Sequence, residues 1–130
     1  MTLFKIVSES KASNKVKKIF NSIKKTKKIN FIPNFWGTIA NDPETLERTW
    51  NSINQVMKKG ALNPLTKELL YIAVSMTNSC EYCIRSHIAS AKKKGMTDKM
   101  LKELISIVGM ANETNKLVES YQVEVDNFLK

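Results

Sequence analysis

One histidine and two cysteines are all the imidazole and thiolate ligands that this chain of 130 residues can offer a metal, and two cysteines make no disulfide scaffold. A structural zinc site, which usually draws its ligands in two knuckle-like pairs, would need a carboxylate to complete the set. Arginine is scarce as well, two residues against nineteen lysines, so the planar forks that grip phosphates are nearly missing. No apolar run reaches the length of a membrane-spanning helix, and Met1 to Val7 is too short for the apolar region of a signal peptide. No alternating stretch is flanked by Asn-Gly or Gly-Gly turns, so no strand is expected. Linkers, repeats and low-complexity segments are also absent. These absences leave an all-α, soluble, cytoplasmic chain as the expectation.

The charge that is present is unevenly placed. The formal net charge is +9, yet the residues up to Lys28 carry nine lysines against the single Glu9, so almost all of it belongs to the N-terminal segment. Within that segment Val16, Ile19, Phe20 and Ile23 recur at helical spacing between lysines. Such a basic amphipathic helix can lie on an anionic membrane or dock an acidic partner, but a solvated lysine face over a core-packing stripe explains it with less. No aromatic interleaving or nucleic-acid motif accompanies the lysines, and neither nucleic acid nor membrane is expected as a partner.

The periodicity predicts a single bundle of six or seven helices. Residues 1–28 read as an extended arm to about Ala12 followed by the basic helix, and residues 29–130 as the domain proper. The segment Asn30 to Trp36 is broken by Pro33, which frees Phe35 and Trp36 to close over the core or to wall a pocket above the cysteines. Asp42 caps the next helix with Pro43 at its first position, and Leu46, Trp50, Ile53 and Met57 form its apolar face. Asn63 and Pro64 open another, apolar nearly all round to Thr77 and so expected to be buried on most sides. Thr97 caps a helix that turns Met100, Leu101, Leu104, Ile105 and Val108 inward and is interrupted at Gly109. A last helix spans about 112–128 through Leu117, Val118, Tyr121, Val125 and Phe128. That many apolar faces on so short a chain imply at least a dimer.

The chemistry gathers between these elements, at Cys80, Cys83 and His87. Cys-x-x-Cys-x-x-x-His on a helix puts all three side chains on one face, together with Ile84, Ile88 and Ala91, while Arg85, Ser86 and Lys92 to Lys94 point elsewhere. Asn78 with Glu81 three residues on reads as an N-cap and capping box, which sets Cys80 in the first turn, where the helix dipole favours a thiolate. Cys83 lies four residues before His87, an imidazole that could take its proton. Glu68 sits inside the buried preceding helix and needs a partner, for which the single histidine is the most economical choice. A disulfide between residues three apart is feasible, so the pair can cycle between dithiol and disulfide. Two buried small residues, a redox sensor or a metal set of Cys80, Cys83, His87 and Glu68 are the competing readings, and no stoichiometric metal is expected. A thioredoxin-like site would need a preceding strand, and haem attachment a histidine directly after the second cysteine, where Ile84 stands.

Glu68, eleven intervening residues, and then Cys80-x-x-Cys83-x-x-x-His87 resemble the signature of the alkyl hydroperoxidase D and carboxymuconolactone decarboxylase superfamily. Ile32-Pro33-Asn34-Phe35, Asp42-Pro43-Glu44 and Asn63-Pro64-Leu65-Thr66-Lys67-Glu68-Leu69 are similar to that family's approach to its motif, so about residues 29–108 fall within the resemblance. The two-cysteine form is like the peroxidase branch, since the decarboxylase branch generally lacks the pair. Tyr82 stands where the best-known peroxidase members carry a second histidine. The resemblance implies a helical fold assembled as dimers, trimers or hexamers, no cofactor, a hydroperoxide substrate and a lipoyl- or thioredoxin-like dithiol reductant in antioxidant defence. It also implies that Cys83 attacks the peroxide, Cys80 meets the reductant, and Glu68 and His87 assist deprotonation. A non-catalytic redox or metal module and a decarboxylase-type member are the alternatives.

Overall fold

The computed structural model describes residues 2–130 and holds six α-helices, with no strand among the described residues. The chain divides into two compact units at Lys58.

The first unit holds α1 (Asn14–Lys27), α2 (Asn34–Ile39) and α3 (Pro43–Met57), with α1 and α2 each packed on α3. Helix α1 starts because the Ser13 hydroxyl accepts the Val16 N–H, and α3 because the Asp42 carboxylate accepts the Glu44 and Thr45 N–H groups. The stripe of Val16, Ile19, Phe20 and Ile23 is buried as its spacing requires, against Trp36, Leu46 and Trp50. Full burial of a side chain such as Phe20 or Ile23 contributes about 2 kcal/mol. The indole N–H of Trp50 is spent on the Ser22 hydroxyl at 3.0 Å, so this aromatic core buries no orphan donor.

The segment before α1 is anchored where an extended arm was expected. It makes a 3-10 turn at Glu9–Lys11, Ala12 is buried, and the Val7 N–H donates to the Gly37 carbonyl at 2.9 Å. Gly37 permits that approach, since a Cβ there would meet Ile6 Cγ2 at 2.6 Å. Part of the basic face is also used internally, Lys24 pairing with Glu9 and Lys15 with Glu47.

The second unit, Lys59–Lys130, is built from α4 (Pro64–Thr77), α5 (Glu81–Lys93) and α6 (Asp98–Ser120), with α4 packed on both α5 and α6. Its core is Ile72, Ala91, Met96 and Leu104. Asn63 caps α4 and Thr97 caps α6, each through its own side chain. Two expectations are corrected here. Helix α4 is not buried all round, because Leu70 and Val74 are 53% and 60% exposed. Helix α6 runs through Gly109 without a break and stops at Ser120, so Val125 and Phe128 lie outside any α-helix and are exposed. A lone glycine weakens a helix by about 1 kcal/mol relative to alanine, too little to break one held by Leu104 and Val108 before it and by the Asn112 to Thr77 hydrogen bond just beyond it.

Because no atom lies within 4 Å of a Cβ built at Gly109, Gly109→Ala is expected to stabilise the protein. The gain should be about 1 kcal/mol, a rise of roughly 4 °C in melting temperature by circular dichroism. A fall in melting temperature would mean that the open side of α6 is covered in solution.

Candidate active site

The site begins at the joint between α4 and α5. The Asn78 N–H donates to Val74 O, the Ser79 N–H to Met76 O at 3.2 Å, and the Cys80 N–H reaches back to Ser75 O at 3.0 Å. With Ser79 in the left-handed region at φ 56°, this is a Schellman ending for α4. Cys80 is at the same time the N-cap of α5, its Sγ accepting the Cys83 N–H at 3.4 Å. The expected assignment of Asn78 as the cap of α5 is therefore corrected: Asn78 closes α4, and Cys80 precedes the first turn instead of lying in it. Glu81 makes no capping box and pairs with Arg85 at 2.9 Å. The cysteine sulfur still stands among the free N–H groups of a helix start, where negative charge is favoured.

Cys80 and Cys83 are joined in a disulfide with their Cα atoms 5.3 Å apart, and both are half-buried. One turn beyond, His87 turns back towards α4. Its Nδ1 lies 2.7 Å from Oε2 of Glu68, and the Tyr71 ring stacks on the imidazole with centroids 3.5 Å apart and planes 20° from parallel. The second carboxylate oxygen, Oε1, accepts from Lys94 Nζ at 3.0 Å.

Glu68 is the most deeply buried of these polar groups, at 5% exposure. Burial pushes its carboxyl up, but the hydrogen bonds and charges of His87 and Lys94 outweigh that and hold it below its ordinary value of 4.5. Glu68 is therefore anionic near neutrality and can only accept. Nδ1 of His87 must then carry the proton of the shared bond, and in the neutral ring Nε2 is left as the acceptor.

The structure thus brings together four residues picked out by the sequence, Glu68, Cys80, Cys83 and His87, on two adjoining helices. Tyr82 is 46% exposed on the outer side of α5. Phe35 and Trp36 belong to the first unit, where Trp36 is 4% exposed and packs edge-on against Trp50 with centroids 5.1 Å apart. Two members of the constellation were not anticipated, Tyr71 and Lys94. Both carried a signal, for Tyr71 falls three residues, nearly one turn, after Glu68, and Lys94 lies two turns after His87. Among the described residues, no three His, Cys, Asp or Glu side chains are grouped so as to hold a metal ion. No helix among them is long and apolar enough to cross a membrane.

A helical unit with a Cys-x-x-Cys pair at a helix start and a buried carboxylate on the following histidine defines a class. The sequence profile of the carboxymuconolactone decarboxylase family matches residues 43–123. This chain belongs to that family. Its structure is similar to the crystal structure of the alkylhydroperoxidase AhpD core from Rhodospirillum rubrum, with a TM-score of 0.94 and 42% sequence identity, covering 100% of this chain and 98% of that one. The sequence is also 36% identical over 50 residues to uncharacterized protein 4 in the cox locus of Paracoccus denitrificans, covering 38% of this chain and 45% of that protein. It is 39% identical over 44 residues to the uncharacterized protein YdfG of Bacillus subtilis, covering 34% of this chain and 30% of that protein. The chain thus matches less than half the length of these two relatives.

Proposed function

We propose that the protein is a thiol-dependent peroxidase that reduces hydroperoxides through the Cys80/Cys83 pair, at the expense of an external dithiol. The observation that carries this reading is the disulfide lying one helical turn from an imidazole whose far nitrogen is fixed by an anionic glutamate. The likeness to the AhpD core over the whole chain supports it.

In the reduced enzyme the Cys83 thiol gives its proton to Nε2 of His87, and Glu68 stabilises the imidazolium that forms. The Cys83 thiolate attacks the distal peroxide oxygen, the O–O bond breaks, and the alkoxide leaves as an alcohol with the proton from His87. Cys83 is then a sulfenic acid. The Cys80 thiolate attacks its sulfur, water departs and the disulfide forms. A dithiol such as a lipoyl or thioredoxin-type group attacks Cys80, passes through a mixed disulfide, and leaves the protein reduced and itself oxidised. Two electrons and two protons move from dithiol to peroxide in each cycle.

The test is turnover. Catalytic amounts of protein should consume an organic hydroperoxide many times over when dihydrolipoamide is supplied. One equivalent consumed and no more would make the pair a redox sensor. Activity on a carboxymuconolactone with none on peroxide would place the chain with the decarboxylases of its family.

The same reading includes self-association. Leu70 and Val74 of α4 and Ile107 and Met110 of α6 are all more than half exposed. A shallow apolar groove lined by Ala73, Val74, Ile107 and Ala111 runs between the two helices. A second copy covering this face removes it from water. Light scattering at micromolar concentration should return at least twice the 14.8 kDa chain mass. A monomer at that concentration defeats the assignment.

A further inference from the structure

We infer that Lys94 is a positioning residue of this site, holding the Glu68 carboxylate so that His87 keeps its proton on Nδ1 and turns Nε2 to the thiol. The inference rests on the peroxidase reading for its consequence, though not for its geometry.

Lys94 is the residue that ends α5, and it lies two turns beyond His87 on the same face of the helix. Its ammonium spans back to α4 and meets Glu68 Oε1 at 3.0 Å, while the imidazole occupies Oε2 at 2.7 Å. The two donors approach one carboxylate from the same helix, and each takes one of its oxygens. The lysine side chain is 38% exposed and that of Glu68 6%, so the ammonium remains hydrated as it neutralises a charge that is not. Lysines 92 and 93, beside it in sequence, do not reach the site, Lys92 pairing instead with Asp98.

Without the lysine, Oε1 would be a buried acceptor with no partner and half of the carboxylate charge would go unmatched. Such a group relieves itself by taking up a proton or by rotating. Either change ends the obligation on Nδ1 to donate, and the imidazole is then free to carry its proton on Nε2, where it cannot accept one from a thiol. Lys94 touches neither substrate nor sulfur and acts only through Glu68.

The chain's single histidine makes the test direct, because every imidazole signal belongs to His87. In the full-length, reduced protein at mildly alkaline pH, long-range nitrogen–proton NMR should show the Nδ1-protonated tautomer. Lys94→Met should shift the ring to the other tautomer or to a mixture, and slow Cys83 oxidation by cumene hydroperoxide about tenfold. The Michaelis constant for dihydrolipoamide should not change. Lys94→Arg, which keeps the charge, should restore the tautomer and most of the rate. An unchanged tautomer in a folded Lys94→Met protein overturns the inference, whatever the peroxide rate. A changed tautomer in a protein whose wild type never reacts with peroxide upholds the positioning role and sinks the peroxidase reading instead.

Discussion

Replacing Cys83 by serine is expected to reduce peroxide consumption to background, whereas replacing Cys80 by serine should leave a single, complete first step. The asymmetry follows from where each sulfur sits. Cys83 is one turn from the imidazole and can pass its proton there, while Cys80 is the N-cap and has only the helix terminus to favour its thiolate. Those two devices oppose each other as predictors, since the dipole alone would make Cys80 the more acidic thiol. The assignment therefore rests on proton transfer to His87 outweighing a fixed partial charge. In the Cys80→Ser protein the sulfenic acid on Cys83 has no resolving thiol, so a dimedone-type probe should label it stoichiometrically and turnover with dithiol should cease. Serine is a good N-cap, so this variant keeps the start of α5. Labelling of Cys80 at the wild-type rate in the Cys83→Ser protein would reverse the roles.

The second large effect is expected at Glu68. Glu68→Gln keeps the shape of the side chain but removes the charge that both His87 and Lys94 face. Peroxide attack at neutral pH should fall by about a hundredfold, the low end of what a general base supplies, and the deficit should shrink at high pH, where the thiol ionises unaided. Stability carries an independent signature. The Glu68 carboxyl is held below its ordinary value of 4.5, so its contribution is present in full above that range and is lost as the pH falls through the lowered folded value. Near neutrality Glu68→Gln should cost about 2 kcal/mol, the worth of hydrogen bonds to a charged group. At a pH well below 4.5 the wild type will have lost part of that advantage, and the two proteins should unfold closer together in urea. Parallel curves at both pH values would show that Glu68 takes no part in acid sensitivity.

How far the sequence disclosed this arrangement depends on how local each signal is. Asp42, Asn63 and Thr97 were legible as caps because a short oxygen-bearing side chain can satisfy only the amides beside it. The stripe from Val16 to Ile23 was equally plain. Glu68 and His87 could be matched because a buried carboxylate admits few partners and the chain has one imidazole. The failures are of another kind. Asn78 resembles a cap by composition, yet the end of α4 is decided by Ser79 entering the left-handed region, a conformation that no residue type there announces. The reading that turned Lys94 away from the His87 face with its two neighbours is corrected, because seven residues bring it back to that face and the approach of α4 gives it a carboxylate. Gly109 looked like a stop because a glycine's own preference was weighed without the contacts that hold Leu104 and Val108 in place. Leu70 and Val74 looked buried because an apolar residue does not state whether its cover belongs to the same chain.

The joint at Ser79 and Cys80 has a consequence for the length of the chain. A single residue closes one helix through its N–H and opens the next through its sulfur, so there is no slack between Glu68 and His87. Each residue inserted into or deleted from a helix turns everything beyond it by roughly 100°. An insertion within α4 past Glu68, at the joint, or in α5 before His87 would swing the imidazole off the carboxylate while leaving both helices intact. The interval from the glutamate to the histidine is thus a gear ratio, tolerant of many changes in side chain and of none in count.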